Sequence, residues 1–389
     1  MPQRGRIIGI DGARALALLG MIVAHMIDKA PSDGSGVDPW FQLVGGRSSA
    51  LFAVLAGVSI VLTTREPSSS GDVVALRPGA RRSLAIRAVL IAAIGLVLGI
   101  PEVGVAVILT YYGALFVCAI PVLRYRARSL LILAVCWGLV SPVVSMLARH
   151  VLPEPSLVIP APSSVLDPVG LLTELLVTGY YPVLTWATYL FVGMALGRLD
   201  LRSGRVARWM VIIGLWPAVA ALGVSAVITR NPGVRDALID SYDVTGTVTS
   251  WEAMSQQITL GFVGTTPVQP WWWLGVWAPH SGSIVDLAHT TGCAVALLGA
   301  TLLITGHLRA RARRIVQAAF GAGTMTLTLY AVHIALLGVP SELGWTQAIT
   351  FHVAVLGSLG ALFAAARARG PLELAVSQIA SQTDASTRI

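Results

Sequence analysis

Ten apolar runs punctuate the chain, at roughly 8–27, 48–64, 84–100, 105–123, 129–148, 180–197, 209–228, 286–305, 316–337 and 347–366. A helix needs about 17–25 mostly apolar residues to cross the hydrocarbon core of a bilayer. The pattern therefore predicts an all-α fold, a polytopic integral membrane helix bundle of about ten transmembrane helices over 1–366, followed by a cytoplasmic tail at 367–389. The two long connections, about 149–179 and 229–285, are rich in proline and are expected to be extracytoplasmic loops without a core of their own. The first run follows Arg4 and Arg6 in the manner of a signal peptide. Asp11 and Arg14 lie inside it, however, and no small-residue cleavage site follows, so it is expected to remain as a helix.

Arginine sets the orientation. Twenty basic residues fall before the first run and after the second, fourth, sixth, eighth and tenth, against five (Lys29, Arg47, Arg149, Arg230 and Arg235) in the alternate segments. Basic residues favour the cytoplasmic side, which predicts both termini in the cytoplasm. Composition agrees with a lipid solvent: of 389 residues 55% are hydrophobic and only 12% charged, about half the charged share of a soluble domain. The net charge of +8 is spread in short clusters between apolar runs, a topology signal that argues against nucleic acid as a partner. Lys29 is the only lysine among 27 basic residues; the arginine bias points to a GC-rich bacterial genome, hence to a bacterial plasma membrane. Cys118, Cys136 and Cys293 share no spacing that suggests a disulfide or a metal site and read as small core residues.

An ionisable side chain at the bilayer centre costs about 2.5–3.5 kcal/mol on insertion scales, so those retained are informative. In the first run, at 100° per residue, Arg14 and His25 lie about 20° apart and Asp11 and His25 about 40° apart around the helix, with about 16 Å of rise between Arg14 and His25. One polar stripe links the cytoplasmic end to the outer half of the membrane. Further outer-side candidates are His280 in Pro279-His280-Ser281-Gly282-Ser283, then Asp286 and His289 on one face of the eighth run. Thr326, Tyr330 and His333 fall within about 60° of one another on the ninth. Each could serve only as an interhelical hydrogen-bonding group; together they predict imidazoles and carboxylates converging at the outer end of one bundle, in a spacing unsuited to zinc. On the cytoplasmic side Arg65, Arg81, Arg82 and Arg87 are explained by topology or, through bidentate guanidinium contacts, by phosphate binding. Pro270-Trp271-Trp272-Trp273 and Trp277 read either as an interfacial aromatic belt or as a stacking platform for a sugar or lipid.

The segment Ile10-Asp11-Gly12-Ala13-Arg14-Ala15-Leu16-Ala17 running to His25 resembles the first helix of transmembrane acyltransferases, a superfamily that includes the acyltransferase-3 proteins and the heparan-alpha-glucosaminide N-acetyltransferases. Gly46-Arg47-Ser48-Ser49-Ala50-Leu51-Phe52 through Gly57 is similar to the family's second helix. Pro279-His280-Ser281-Gly282, Gly323-Thr324-Met325-Thr326 through Tyr330, and Gly370-Pro371-Leu372-Glu373 look like a bacterial branch of the same superfamily. One departure is notable: the lysosomal enzymes place asparagine at the position of His25 and a histidine in the loop that follows, whereas residues 28–46 here contain none.

The resemblance implies transfer of an acyl group, acetyl first among the choices, from cytoplasmic acetyl-CoA or another acyl-CoA to an extracytoplasmic sugar, lipid or small amine. Arg65, Arg82 and Arg87 would receive the donor's phosphates. His25 would act as general base or as transiently acylated nucleophile, with His280 and Arg47 orienting it or stabilising the oxyanion. Asp11, Arg14, Asp286, His289, Tyr330 and His333 would line or brace the path, and related folds allow a homodimer. A transporter or flippase, and a non-catalytic envelope-assembly protein, are the alternatives that intramembrane charge alone leaves open.

Overall fold

The computed structural model describes residues 7–31, 36–66, 75–242, 248–339 and 342–385; Arg4 and Arg6 fall outside it. Among the described residues every regular element is helical, and β pairing is confined to one isolated bridge between Arg65 and Leu76.

Helix boundaries follow local chemistry. The first helix, α1 (Ile8–Met26), carries Asp11 in its first turn, where a negative charge suits the helix dipole, and His25 in its last. A short helix, α2 (Pro39–Val44), starts behind an Asp38 cap and stands beside α3 (Arg47–Thr64), the two separated by Gly46 at φ 71°. Next come α4 (Ala80–Leu98), α5 (Leu109–Ala119) and α6 (Ala127–Ala148). The chain then forms α7 (Pro168–Thr173), whose helical extension to Thr178 meets α8 (Val183–Gly197) at a bend of 56°. Helix α9 (Gly204–Ile228) is capped by Ser203.

Lipid exposure separates two classes of helix. Thr185 through Gly197 of α8 are buried throughout, so this helix runs inside the bundle. The outer faces of α6 and α9 display Leu131, Ile132, Val135, Ile212, Ile213, Trp216 and Val219, apolar surface that water would not tolerate and lipid does. Cys136 lies on that face of α6 and is exposed, which corrects its reading as a core residue: its small side chain points away from the bundle. At the centre, α3 and α8 cross with Gly57 and Gly193 facing the partner backbone so closely that a Cβ on either would collide with it. Small residues permit such approach where no hydrophobic drive separates helices from lipid.

Three expectations need revision. The run at 316–337 is not one helix: α13 (Ala310–Ala319) ends, a tight turn occupies Gly321–Thr324, and α14 (Thr326–Leu337) begins anew. Gly321 packs against Gly360 and Gly323 against Asp11, contacts that continuous helix with larger side chains would block. The connection 229–285 has a core of its own. Helix α10 (Pro232–Tyr242), α11 (Trp251–Leu260) and the turn at Trp271–Gly275 enclose Val234, Leu238, Met254, Ile258 and a fully buried Trp273, resting on Met146 of α6. Trp273 is thus a core residue, while Trp271 and Trp272 are half exposed. The described part of the 367–389 segment does not stand apart from the bundle, because α16 (Pro371–Ala385) folds back on α4 and α14. Among the described residues, six segments are long and apolar enough to cross a membrane, or seven with the bent α7–α8 pair. They include α12 (Ile284–Gly306) and α15 (Trp345–Ala365); α4, with its arginines, and the shorter α5 and α14 fall outside that set.

Candidate active site

The last turn of α1 presents His25 to α14, where its Nδ1 lies 3.1 Å from Nε2 of His333 with the ring planes 8° apart. His333 in turn meets His352 of α15 edge-on, ring centroids 5.1 Å apart. His280 approaches from the loop before α12. Its imidazole packs parallel to Trp186 and edge-on to Tyr181, and its backbone adopts φ 58°, a left-handed conformation held by neighbouring hydrogen bonds. Gly282 N donates to Asp286 Oδ2 at 3.0 Å, and Ser283 caps α12 through its hydroxyl. Burial, and secondarily the nearby Lys29 ammonium, push the His280 pKa down to about 4. The ring is therefore neutral near pH 7 and available to accept a proton.

Arg47 does not orient His25. Its Nε donates to His289 Nε2 at 2.9 Å, its Nη1 donates to the carbonyls of Gln42 and Leu43, and its guanidinium lies over Trp277. His289 Nδ1 sits 2.8 Å from the Ala218 carbonyl, which only accepts, so the ring is the neutral Nδ1–H tautomer and its Nε2 receives Arg47. This forms a second polar group, beside Asp286 rather than beside His25. Among the described residues no group of three or more His, Cys, Asp or Glu side chains is arranged to hold a metal ion.

Below the histidines lies a cavity of about 250 Å³ between α1, α3, α4, α5 and α14. Arg14, Ser59, Glu373, Met21, Tyr112 and Tyr330 are among the residues that line it. Arg14 reaches Ser59 Oγ at 2.5 Å and Asp11 Oδ1 at 3.4 Å, tying α1 to α3. Met21 is one helical turn from His25, and Tyr330 one turn from His333, so the cavity wall comes within a turn of the imidazole pair on both helices. Ile91 on its wall is one turn from Arg87, whose guanidinium is approached by those of Arg77 and Arg369. Arg65 lines a different cavity of about 370 Å³, with Arg198, Asp200 and Arg202; Arg77 Nε bonds the Arg65 carbonyl and links the two basic regions. Arg82 is exposed at the start of α4.

His352 and Lys29 escaped the sequence reading. His352 is an imidazole within an apolar run and could have been singled out on that ground. Nothing in the order of residues brings Lys29 to His280.

Such an arrangement defines a helical membrane protein with an internal cavity lined by Arg14, Ser59 and Glu373 among apolar side chains, and with a cluster of histidines contributed by several helices. A family model described as the catalytic region of heparan-alpha-glucosaminide N-acetyltransferase matches residues 6–231, more than half of the chain. The chain belongs to that family, a family of membrane transferases. The match covers Asp11, Arg14, His25, Arg47 and the arginines of α4, and ends at α9; His280, Asp286, His289, Tyr330, His333 and His352 lie beyond it. No curated protein matches the chain.

Proposed function

We propose that the protein moves a short acyl group, acetyl first among them, from cytoplasmic acyl-CoA to a hydroxyl or amine acceptor presented on the opposite face. The observation that carries this reading is the cavity running from Arg14 to Met21 and Tyr330, one helical turn from the His25–His333 pair. Arg87, Arg77 and Arg369 cluster one turn from the Ile91 wall of this cavity, suited to the phosphates of the donor by charge and by planar bidentate geometry. A narrow thioester arm fits a slot of that kind, and brings its carbonyl toward His25. His25 then takes the proton of the acceptor as that group attacks the thioester carbonyl, the carbon–sulfur bond breaks, and the proton returns to the thiolate.

The path needs a fixed orientation. We infer ten spans, adding α4, α5 and α14 to the seven apolar segments, with both termini cytoplasmic as the arginine distribution requires. The setting is a bacterial plasma membrane. The acceptor side is then formed by Lys29, His280, Trp277 and the subdomain built around Trp273, where a sugar or lipid headgroup would lie.

Purified protein in lipid vesicles, given radiolabelled acetyl-CoA and a mixed pool of glycans and amines, should release CoA in step with acceptor labelling. His25→Gln should bind acetyl-CoA normally and lose about 10²–10⁴-fold in turnover, the usual cost of losing a general base. Acetyl-CoA that fails to bind the wild type, or a His25→Gln variant with normal turnover, would overturn the assignment.

A further inference from the structure

Two buried imidazole nitrogens have no hydrogen-bond partner among the described residues, His333 Nδ1 and His352 Nε2. Their residues are 0% and 5% exposed, and their rings touch edge-on. The other nitrogen of each ring is engaged. His352 Nδ1 lies 2.9 Å from the Ala348 carbonyl. A carbonyl can only accept, so this nitrogen carries the hydrogen and His352 Nε2 is left as an acceptor. His333 Nε2 lies 3.1 Å from His25 Nδ1, a contact that works with the hydrogen on either ring.

We propose that His333 Nδ1–H donates to His352 Nε2, so that the Ala348 carbonyl, acting through two imidazoles, fixes His25 in its Nδ1–H tautomer. Each step dictates the next. Once His352 Nε2 accepts, His333 presents a hydrogen on Nδ1 and a lone pair on Nε2. His25 must then donate from Nδ1, and its own lone pair is confined to Nε2. Pairing the two orphaned nitrogens removes the desolvation penalty that each would otherwise carry inside the bundle. The bond is not formed in this structure, where the rings meet edge-on with centroids 5.1 Å apart, so one ring must turn to close it. His333 and His352 are positioning residues: they select which nitrogen of His25 is basic and hold the plane of its ring. The catalytic consequence rests on the reading of His25 as the base; the tautomer itself does not.

The test reads the tautomer directly. Nitrogen-15 solid-state NMR of the full chain in lipid vesicles, with labelled histidine, distinguishes protonated from bare ring nitrogens. The His25 signals are identified by their loss in H25Q. In the wild type His25 should show a protonated Nδ1 and a bare Nε2. H352Q should keep that pattern, because the glutamine amide oxygen can accept from His333 as the imidazole does. H352L offers no acceptor and should give mixed tautomers at His333 and His25. Turnover should follow the spectra with acetyl-CoA affinity unchanged, H352Q staying within a few-fold of wild type and H352L falling toward the about 10²–10⁴-fold loss of a missing base. A wild-type His25 protonated at Nε2, or an H352L spectrum with His25 unaltered, overturns the proposal. The expected tautomers in a protein without acyl transfer would uphold the chain of imidazoles and remove only its assigned activity.

Discussion

Glu373 on α16 grips Thr328 on α14 twice, its Oε2 accepting from the hydroxyl at 2.5 Å and its Oε1 from the backbone N–H at 3.2 Å, while Oε1 also accepts from Leu327 N at 2.7 Å. Met325 precedes α14 without a capping side chain. A carboxylate borrowed from a distant helix therefore satisfies the free N–H groups that the break before α14 creates, and its charge complements the helix dipole. Glu373→Ala should cost about 0.5–2 kcal/mol, the range for losing an N-cap, read as a lower midpoint of thermal unfolding in detergent. Glu373→Gln keeps an acceptor oxygen and should lose less. Equal stability of all three proteins would show that the cap contributes nothing.

A second expectation concerns orientation. In a background without native cysteines, a membrane-impermeant thiol reagent added to intact cells should label cysteines placed at Glu154 and Asp240, and leave those at Arg77, Arg126, Arg205 and Arg311 unmodified. The opposite pattern would invert the bundle and move the donor arginines to the wrong compartment.

Stability should also depend on pH through His280. Its folded pKa lies near 4, below the ordinary value of about 6.5 for histidine. Between those values the unfolded chain binds a proton that the folded chain does not. Stability is therefore complete above about pH 6.5 and declines as pH falls toward 4. Unfolding midpoints measured across that window should slope downward with acid, and His280→Asn should flatten part of the slope. An unchanged slope in the variant would place the titration elsewhere.

Trp273 offers the sharpest test of the subdomain within 229–285. Its indole is wholly buried, packs edge-on against Phe262 and donates from Nε1 to Ser241. Trp273→Ala should cost about 3–5 kcal/mol locally, seen as rapid proteolysis within 229–285. Trp271→Ala, at a half-exposed position, should leave the same segment resistant. Matching sensitivity in the two variants would contradict a separate core.

Much of the helical framework is legible in the order of residues. The runs near 8–27, 48–64, 129–148 and 347–366 coincide closely with α1, α3, α6 and α15, because a bilayer demands long uninterrupted apolar stretches and tolerates few other signals. The break at Gly321–Thr324 is hidden for the same reason: glycine, alanine and threonine pass as apolar filler until Gly360 and Asp11 are seen packed against them. Hydropathy likewise reads α16 as a tail, since Glu373 looks like a solvated charge until its partner appears. The core around Trp273 is assembled from residues spread over 146–278, and no local period announces it. At the candidate site, the helical wheel placed Asp11, Arg14 and His25 on one face of a single helix. The pairing of His25 with His333, the diversion of Arg47 to His289, and the presence of His352 depend on how helices meet, which single-helix geometry does not contain.

Lys29 gives the protein an unusual chemical handle. It is the one primary amine on any side chain, poised over the Phe41 ring and near enough to His280 for its charge to be felt. With the N-terminal α-amine blocked, an amine-selective fluorophore would thus mark a single site, beside the histidine cluster, with no engineered residue anywhere in the polypeptide. Its emission would report water entry and occupancy beside His280 in real time, independently of any product being formed.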